Sequence, residues 1–256
     1  MRHRQHMIAA GVFVLVLVLV GITGYRNLSY NWQWYRVAQY FFSFEQGQFV
    51  PGVLLQGVWV TLKISGISLV LSLIIGLVSA FARLSPYVSL RGLAWCYVET
   101  IRNTPLLIQI FVIYFVISPV LDLSAFTSAV IALSLFEGAY SSEIIRSGIV
   151  NIPRGQWEAA QSIGLPVSVI CLKVIIPQML RQTLPMLAGQ SVSLIKDSAL
   201  VSTISIYDLT MQGQKIVSET FLTFEIWFVV ALCYLSITAT LSFIVRQIEN
   251  RIRFVQ

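Results

Sequence analysis

The sequence predicts an all-α integral membrane protein with six transmembrane helices, and three observations carry that expectation. Apolar residues make up 57% of the 256-residue chain and charged residues only 11%, against about 25% charged in an average soluble domain. The apolar runs reach the roughly 20 residues a helix needs to cross a hydrocarbon core, far longer than strands usually are. The basic residues fall on alternate connecting segments, the bias that orients membrane helices.

The spans are expected near 7–24, 58–82, 93–118, 124–143, 183–205 and 222–245. The first follows Arg2 and Arg4 and carries an apolar run from Ile8 to Val20. A signal peptide starts the same way. However, Gly21-Ile22-Thr23-Gly24-Tyr25 offers no small-x-small cleavage site, so an uncleaved anchor is expected. Residues 25–57 hold Trp32, Trp34, Tyr35, Tyr40, Phe41, Phe42 and Phe44. Tyr and Trp favour the headgroup level, so this segment is expected to lie along the outer interface. Residues 1–57 thus form an anchor with an aromatic outer segment. Residues 58–256 form the membrane domain, with a polar insert at 144–182.

Of the 17 basic residues, eleven lie on one set of alternate segments: Arg2, Arg4, Arg83, Arg91, Arg146, Arg154, Lys173, Arg181, Arg246, Arg251 and Arg253. Only Arg26, Arg36 and Lys215 lie on the other. Both termini and the insert are therefore expected in the cytoplasm. This distribution also accounts for the net charge of +6 without a nucleic-acid surface.

Ionisable groups inside spans are costly and raise functional hypotheses. Lys63 sits close enough to a span end to snorkel. Glu99 and Arg102 are three residues apart, share a helix face and can pair. Pro105 follows them and is positioned to kink the helix. Glu137, beside Gly138, is either a polar contact between helices or a carboxylate that recognises an amine. Lys196 and Asp197 interrupt the fifth span. Adjacent residues point about 100° apart on a helix, so one can face a pathway and the other a neighbouring span. Lys196 could answer a substrate carboxylate and Glu137 a substrate amine; a gate or an inter-subunit bridge fits these charges as well.

The insert carries the sharpest local signal. Gln156–Ser162 is rich in helix formers, Gly164 can take the left-handed conformation that ends a helix, and Pro166 blocks continuation. A short helix, a turn and a second helix leading into the fifth span are expected. Glu158 falls near the first helix's start, where the dipole favours a carboxylate. On these grounds an ordinary amphipathic connector and a docking surface for a soluble partner remain equally open.

The stretch Glu158-Ala159-Ala160, three residues, Gly164, nine residues, then Val174-x-Ile176-Pro177 resembles the EAA loop of ABC importer permeases. That pattern ends in Ile-x-Leu-Pro, so Val174 and Ile176 depart from it mildly. Glu99-Thr100-Ile101-Arg102-Asn103-Thr104-Pro105-Leu106-Leu107 resembles the polar amino acid branch, which usually has Gly at the Asn103 position. Ala139-Tyr140 with Glu143, Ile144, Arg146, Gly148 and Ile149 is similar to the same branch. So is Lys196-Asp197-Ser198-Ala199-Leu200 followed by Ser202. The branch often has Asn where this chain has Gly189. The likeness covers about residues 52–250.

The resemblance implies a type I ABC importer transmembrane domain, with a five-span core plus the N-terminal span, in a bacterial inner membrane. It implies a second permease copy or paralogue, two ABC ATPase subunits and a periplasmic solute-binding protein. The cargo implied is a polar amino acid, with a lean to glutamate, aspartate or glutamine. Gly155, Glu158, Ala159, Ala160 and Gly164 would couple to the ATPase. Glu99, Arg102, Glu137, Lys196 and Asp197 are the substrate-pathway candidates. ATP and Mg belong to the partner subunit, since this chain has no G-x-x-x-x-G-K-[ST] phosphate loop.

Enzymatic readings find little support. His3 and His6 both sit in the N-terminal tail, and Cys96, Cys171 and Cys233 have neither disulfide nor metal-ligand spacing. An ion-coupled secondary transporter is the alternative, although no internal repeat of the kind such folds carry is visible. A membrane scaffold is a third reading.

Overall fold

A computed structural model of the chain describes residues 30–45 and 48–253, with isolated positions at 12, 15, 16, 19 and 23. The span expected near 7–24 lies outside the described residues apart from those positions. The chain divides into two compact units, Met1–Arg36 and Val37–Gln256. In the first, a helical turn at Trp34–Arg36 is fixed by Arg36, whose Nη1 donates to Gln33 Oε1 at 3.0 Å. Trp32 stacks on Trp34 with ring centroids 5.8 Å apart.

The second unit opens with an antiparallel hairpin, β1 (Phe42–Glu45) and β2 (Gln48–Pro51), which the sequence reading did not anticipate. Phe44 pairs directly with Phe49, and Phe42 lies two residues from Phe44. The three rings therefore share one face, with centroids 6.1 to 6.4 Å apart. Cross-strand aromatic pairs stabilise such ribbons.

Eight helices follow: α1 (Val53–Leu84), α2 (Val88–Arg102), α3 (Leu106–Leu121), α4 (Ala125–Val150), α5 (Arg154–Ser162), α6 (Val167–Ile204), α7 (Leu209–Thr220) and α8 (Thr223–Arg253). Among the described residues α1, α4, α6 and most of α8 are each long and apolar enough to span a membrane. The pair α2 and α3 makes a fifth if counted as one broken span.

The kink expected at Pro105 within the span placed at 93–118 is present, and it is large: α2 and α3 are bent by 109° at their junction. Pro105 is the cause, because it disfavours the helical conformation at Thr104 and lacks an N–H. The break frees carbonyls, and Gln109 collects them. Its Nε2 donates to Ile101 O at 2.8 Å and Thr104 O at 3.1 Å. Asn103 Nδ2 takes Glu99 O at 2.7 Å. The carbonyls thus end on side chains of the break itself rather than facing a cavity.

Two helices widen locally into π-helix, at Val112–Ile117 and Cys171–Ile175. Each stretch runs up to a proline, Pro119 and Pro177 respectively. A proline ring collides with the carbonyl four residues back, and a π-bulge is a known accommodation of a disturbed ladder. The helix α6 also begins well before the expected 183, and α4 continues past 143. The polar link between them is thereby only residues 151–166, containing α5.

The core of the fold is the contact of α1 with α4. Ser65, Ser68, Ser72, Gly76, Ser79 and Ala80 are buried along α1, and Ser134, Gly138, Ser141 and Ser142 along α4. Small residues let membrane helices approach closely, where van der Waals packing replaces the hydrophobic drive. The approach at Gly76 leaves no room for a side chain: a Cβ there would lie 2.6 Å from Ser141 Cβ. Beyond the far end of α6, Asp208 caps α7 by accepting from Met211 N at 2.8 Å, and Leu209 N donates to Thr61 Oγ1 of α1 at 3.1 Å.

Candidate functional site: a seated loop helix, a charge cluster and a buried carboxylate

The loop helix α5 is held at both ends. Pro153 precedes it, and proline before the first turn costs no hydrogen bond. At its far end Gly164 adopts φ +78°. Gly164 N donates to Gln161 O at 2.9 Å and Leu165 N to Ala160 O at 3.3 Å, the paired bonds of a Schellman cap. Gly164 thus has the conformation the sequence called for.

The helix has two faces. Ala160 is 6% exposed and packs, with half-buried Trp157 and Leu165, against Ala80 of α1, Ile145 of α4 and Ile170, Ile175 and Met179 of α6. Gln178 Nε2 of α6 donates to Gln156 Oε1 at 3.2 Å. Gly155, Glu158 and Ala159 face outward and are exposed, as is Gly164 beyond the helix. Nothing lies within 4 Å of a Cβ built on Gly155. Of the two alanines, Ala159 is outward while Ala160 seats the helix on its own chain. Glu158 stands in the second turn rather than at the start. The arrangement can pass a force: the short helix is bonded to α6 and packed on its start, within an apolar cluster that includes Ala80 of α1 and Ile145 of α4.

Beside this seat lies a charge cluster that the sequence reading did not assemble. Glu143 of α4 pairs with Arg83 of α1 and with Arg146, whose Nη2 is 2.5 Å from Glu143 Oε1. Arg102 of α2 stands 3.8 Å from Glu143 Oε2, with its guanidinium over the Tyr140 ring at 5.5 Å. The expected Glu99–Arg102 pairing is corrected accordingly: Arg102 turns to α4, and Glu99 takes a hydrogen bond from Asn103 at 3.2 Å. The bend after Arg102 is the reason, since it tips the end of α2 against α4. The three-residue spacing could have hinted at Glu143–Arg146, but no local pattern reaches from 83 to 143.

The third feature is Glu137. It is 1% exposed, and neither carboxylate oxygen has a hydrogen-bond partner among the described residues. Gln190 of α6 lies near enough to offer a side-chain hydrogen bond, and Asp197 near enough to act on its charge. Asp197 is half-buried and feels Lys196, which is exposed. The structure therefore brings Glu137 and Asp197 together and leaves Lys196 on the outside of that pair. Holding a full charge on a carboxylate buried there would cost several kcal/mol. Groups that expensive are usual where a ligand completes them.

Comparison with known proteins places the chain. Residues 72–254 match the family model described as the binding-protein-dependent transport system inner membrane component. The chain belongs to that family. Its permease from Escherichia coli K12 named for glutamine transport, GlnP, is 38% identical over 206 residues, covering 79% of this chain and 94% of the relative. The Bacillus subtilis permease named for L-cystine transport, TcyB, is 38% identical over 209 residues, covering 81% and 89%. A solved amino acid ABC transporter crystallised with histidines superposes with TM-score 0.74 at 35% identity, over 78% of this chain and 94% of that one. The MetNI methionine transporter in an inward-facing form shares the fold, with TM-score 0.68 at 19% identity. The chain is thus a membrane permease of the ABC importer class, with the type I membrane-domain fold.

Proposed function

We propose that this chain is the pathway-forming subunit of an ATP-driven importer of polar amino acids in a bacterial inner membrane. A solute-binding protein delivers the amino acid from the outer side. Two ATPase subunits, holding ATP and Mg, dock from the cytoplasm against α5, and a second permease copy or paralogue completes the pathway. Both termini and α5 face the cytoplasm in this reading, as the eleven basic residues require. The observation that carries the reading is the seat of α5: Gly155, Glu158 and Ala159 turned outward on a helix bonded to the start of α6 and sharing an apolar cluster with the ends of α1 and α4. Closure of the ATPases then pulls on those ends through Ala160 and the Gly164 cap.

The named cargoes of the relatives, glutamine and L-cystine, support a polar amino acid as substrate. Both carry an ammonium group at neutral pH. Glu137, with Asp197 beside it, supplies the negative charge such a group needs, and a bound amine would satisfy the open carboxylate oxygens. Lys196, Glu99 and Arg102 serve at the margins of the path: Arg102 is engaged by Glu143, and Lys196 is free to meet a substrate carboxylate or the other permease.

The test is to purify the tagged chain gently from its native cells and identify by mass spectrometry what accompanies it. An ABC-type ATPase in near-equal amount is the expected result, and the same sample reveals whether a second permease is present. A chain that purifies without any ATPase, yet carries substrate when reconstituted alone, is an ion-coupled secondary transporter and the proposal fails.

A further inference from the structure

Between the C-terminal end of α1 and the N-terminal turns of α2 lies a cavity of about 390 Å³ lined by Arg83, Val88, Arg91, Gly92, Trp95 and Arg146. Its charge is unbalanced. Glu143 spends one oxygen on Arg146 and the other on Arg83 and Arg102. Arg146 Nε is buried with no hydrogen-bond partner among the described residues. Arg91 has no ion pair among the described salt bridges and is exposed. The first turn of the 15-residue α2 lacks a side-chain cap, and its Val88 lines the same cavity.

The surroundings are apolar on the other side. Val88 is 72% exposed and Trp95 57%. Trp95 follows Arg91 by four residues, so both stand on one wall. A guanidinium cluster beside exposed apolar side chains at a span end suits an amphiphile rather than a fully hydrated anion. We propose that this cavity binds the phosphate headgroup of an anionic phospholipid of the cytoplasmic leaflet. Arg91, Arg83 and Arg146 hold the phosphodiester, and Val88 and Trp95 receive the glycerol and upper acyl chain. Basic pockets between helices on the cytoplasmic side are suited to such headgroups. The proposal rests on the orientation used above but not on the cargo or the ATPase.

The experiment uses the purified transporter with whatever subunits accompany the chain. It is exchanged into nanodiscs of phosphatidylcholine with a trace of phosphatidylglycerol, and retained lipid is counted by native mass spectrometry. Wild type is expected to retain phosphatidylglycerol over phosphatidylcholine. Arg91→Gln is expected to lower that retention about fivefold, the effect of one arginine near an anionic surface, and Arg91→Lys to restore most of it. Arg91 makes no described ion pair, so its variants test binding rather than folding. Equal retention in wild type and Arg91→Gln overturns the proposal. So does displacement of the lipid by millimolar inorganic phosphate or ATP, which would make the cavity a soluble-anion site. Labelling of a cysteine at 91 from the outer side would sink the orientation instead, and separates that failure from failure of the pocket.

Discussion

Arg83 and Glu143 form an ion pair between the C-terminal portions of α1 and α4, sixty residues apart in sequence and joined by packing of small side chains. The two helices run parallel, so the pair locks their ends on the side where α5 sits. Arg146 and Arg102 share the same carboxylate, and one acid therefore holds three helices together.

Removing that acid leaves three guanidinium groups facing one another. Glu143→Ala is expected to destabilise the folded permease by about 2 kcal/mol, between an exposed pair and a buried one. Thermal unfolding in detergent measures it. A melting temperature unchanged from wild type would show that the cluster contributes nothing.

Asp208 supplies a pH dependence. It is fully buried at the cap of α7, and burial holds its carboxyl up to about 6, against backbone and Tyr234 hydrogen bonds that pull the other way. A raised folded-state pKa means the folded protein keeps its proton where the unfolded chain has lost it. Its contribution is thus complete below about pH 4 and is lost as pH rises through about 6. The span corresponds to at most about 3 kcal/mol. Asp208→Asn still caps the helix but cannot titrate. Melting curves from pH 4.5 to 7.5 should show wild type losing stability relative to Asp208→Asn as pH rises; parallel curves would refute the assignment.

Much of this architecture was legible from the residues, and the exceptions are instructive. The cap at Gly164 was readable because its signals, a helix-forming run, a glycine and a proline, are all local. The spans near 58–82, 124–143 and 222–245 were readable from apolar length. What failed was long-range or competed with length. Pro105 marked the break within the apolar run 93–118, but not its size of 109°, because hydropathy does not register how far a proline turns the chain. The Arg102 partner was misjudged for the same reason. The hairpin at Phe42–Pro51 was missed because aromatic content reads equally well as an interfacial segment. Ala160 looked like a contact residue until packing showed it facing its own core.

Gly164→Asp tests force transmission. A side chain at φ +78° is strained, at a cost of order 1 kcal/mol, and the Schellman cap loosens. Membrane insertion should be normal, since no span is touched. Uptake should fall by about tenfold, as expected if roughly 1.4 kcal/mol of coupling is lost. Radiolabelled uptake beside a membrane-fraction blot reads both quantities, and normal uptake would remove the coupling role.

Glu137 separates a substrate contact from a structural one. If it only held helices together, Glu137→Gln would lower stability and leave apparent affinity alone. Its oxygens meet no hydrogen-bond partner in good geometry among the described residues, and Gln190 stands near enough to offer one, which an amide at 137 can still accept. Stability should therefore hold. If Glu137 meets the substrate's ammonium group, apparent affinity for the transported amino acid should weaken in the same variant. Lys196→Met, on the exposed side of Asp197, should weaken it less. The decisive pattern is weakened affinity with an unchanged melting temperature in Glu137→Gln. A variant that melts lower and transports its amino acid with unchanged apparent affinity would assign Glu137 to packing and clear it from the path.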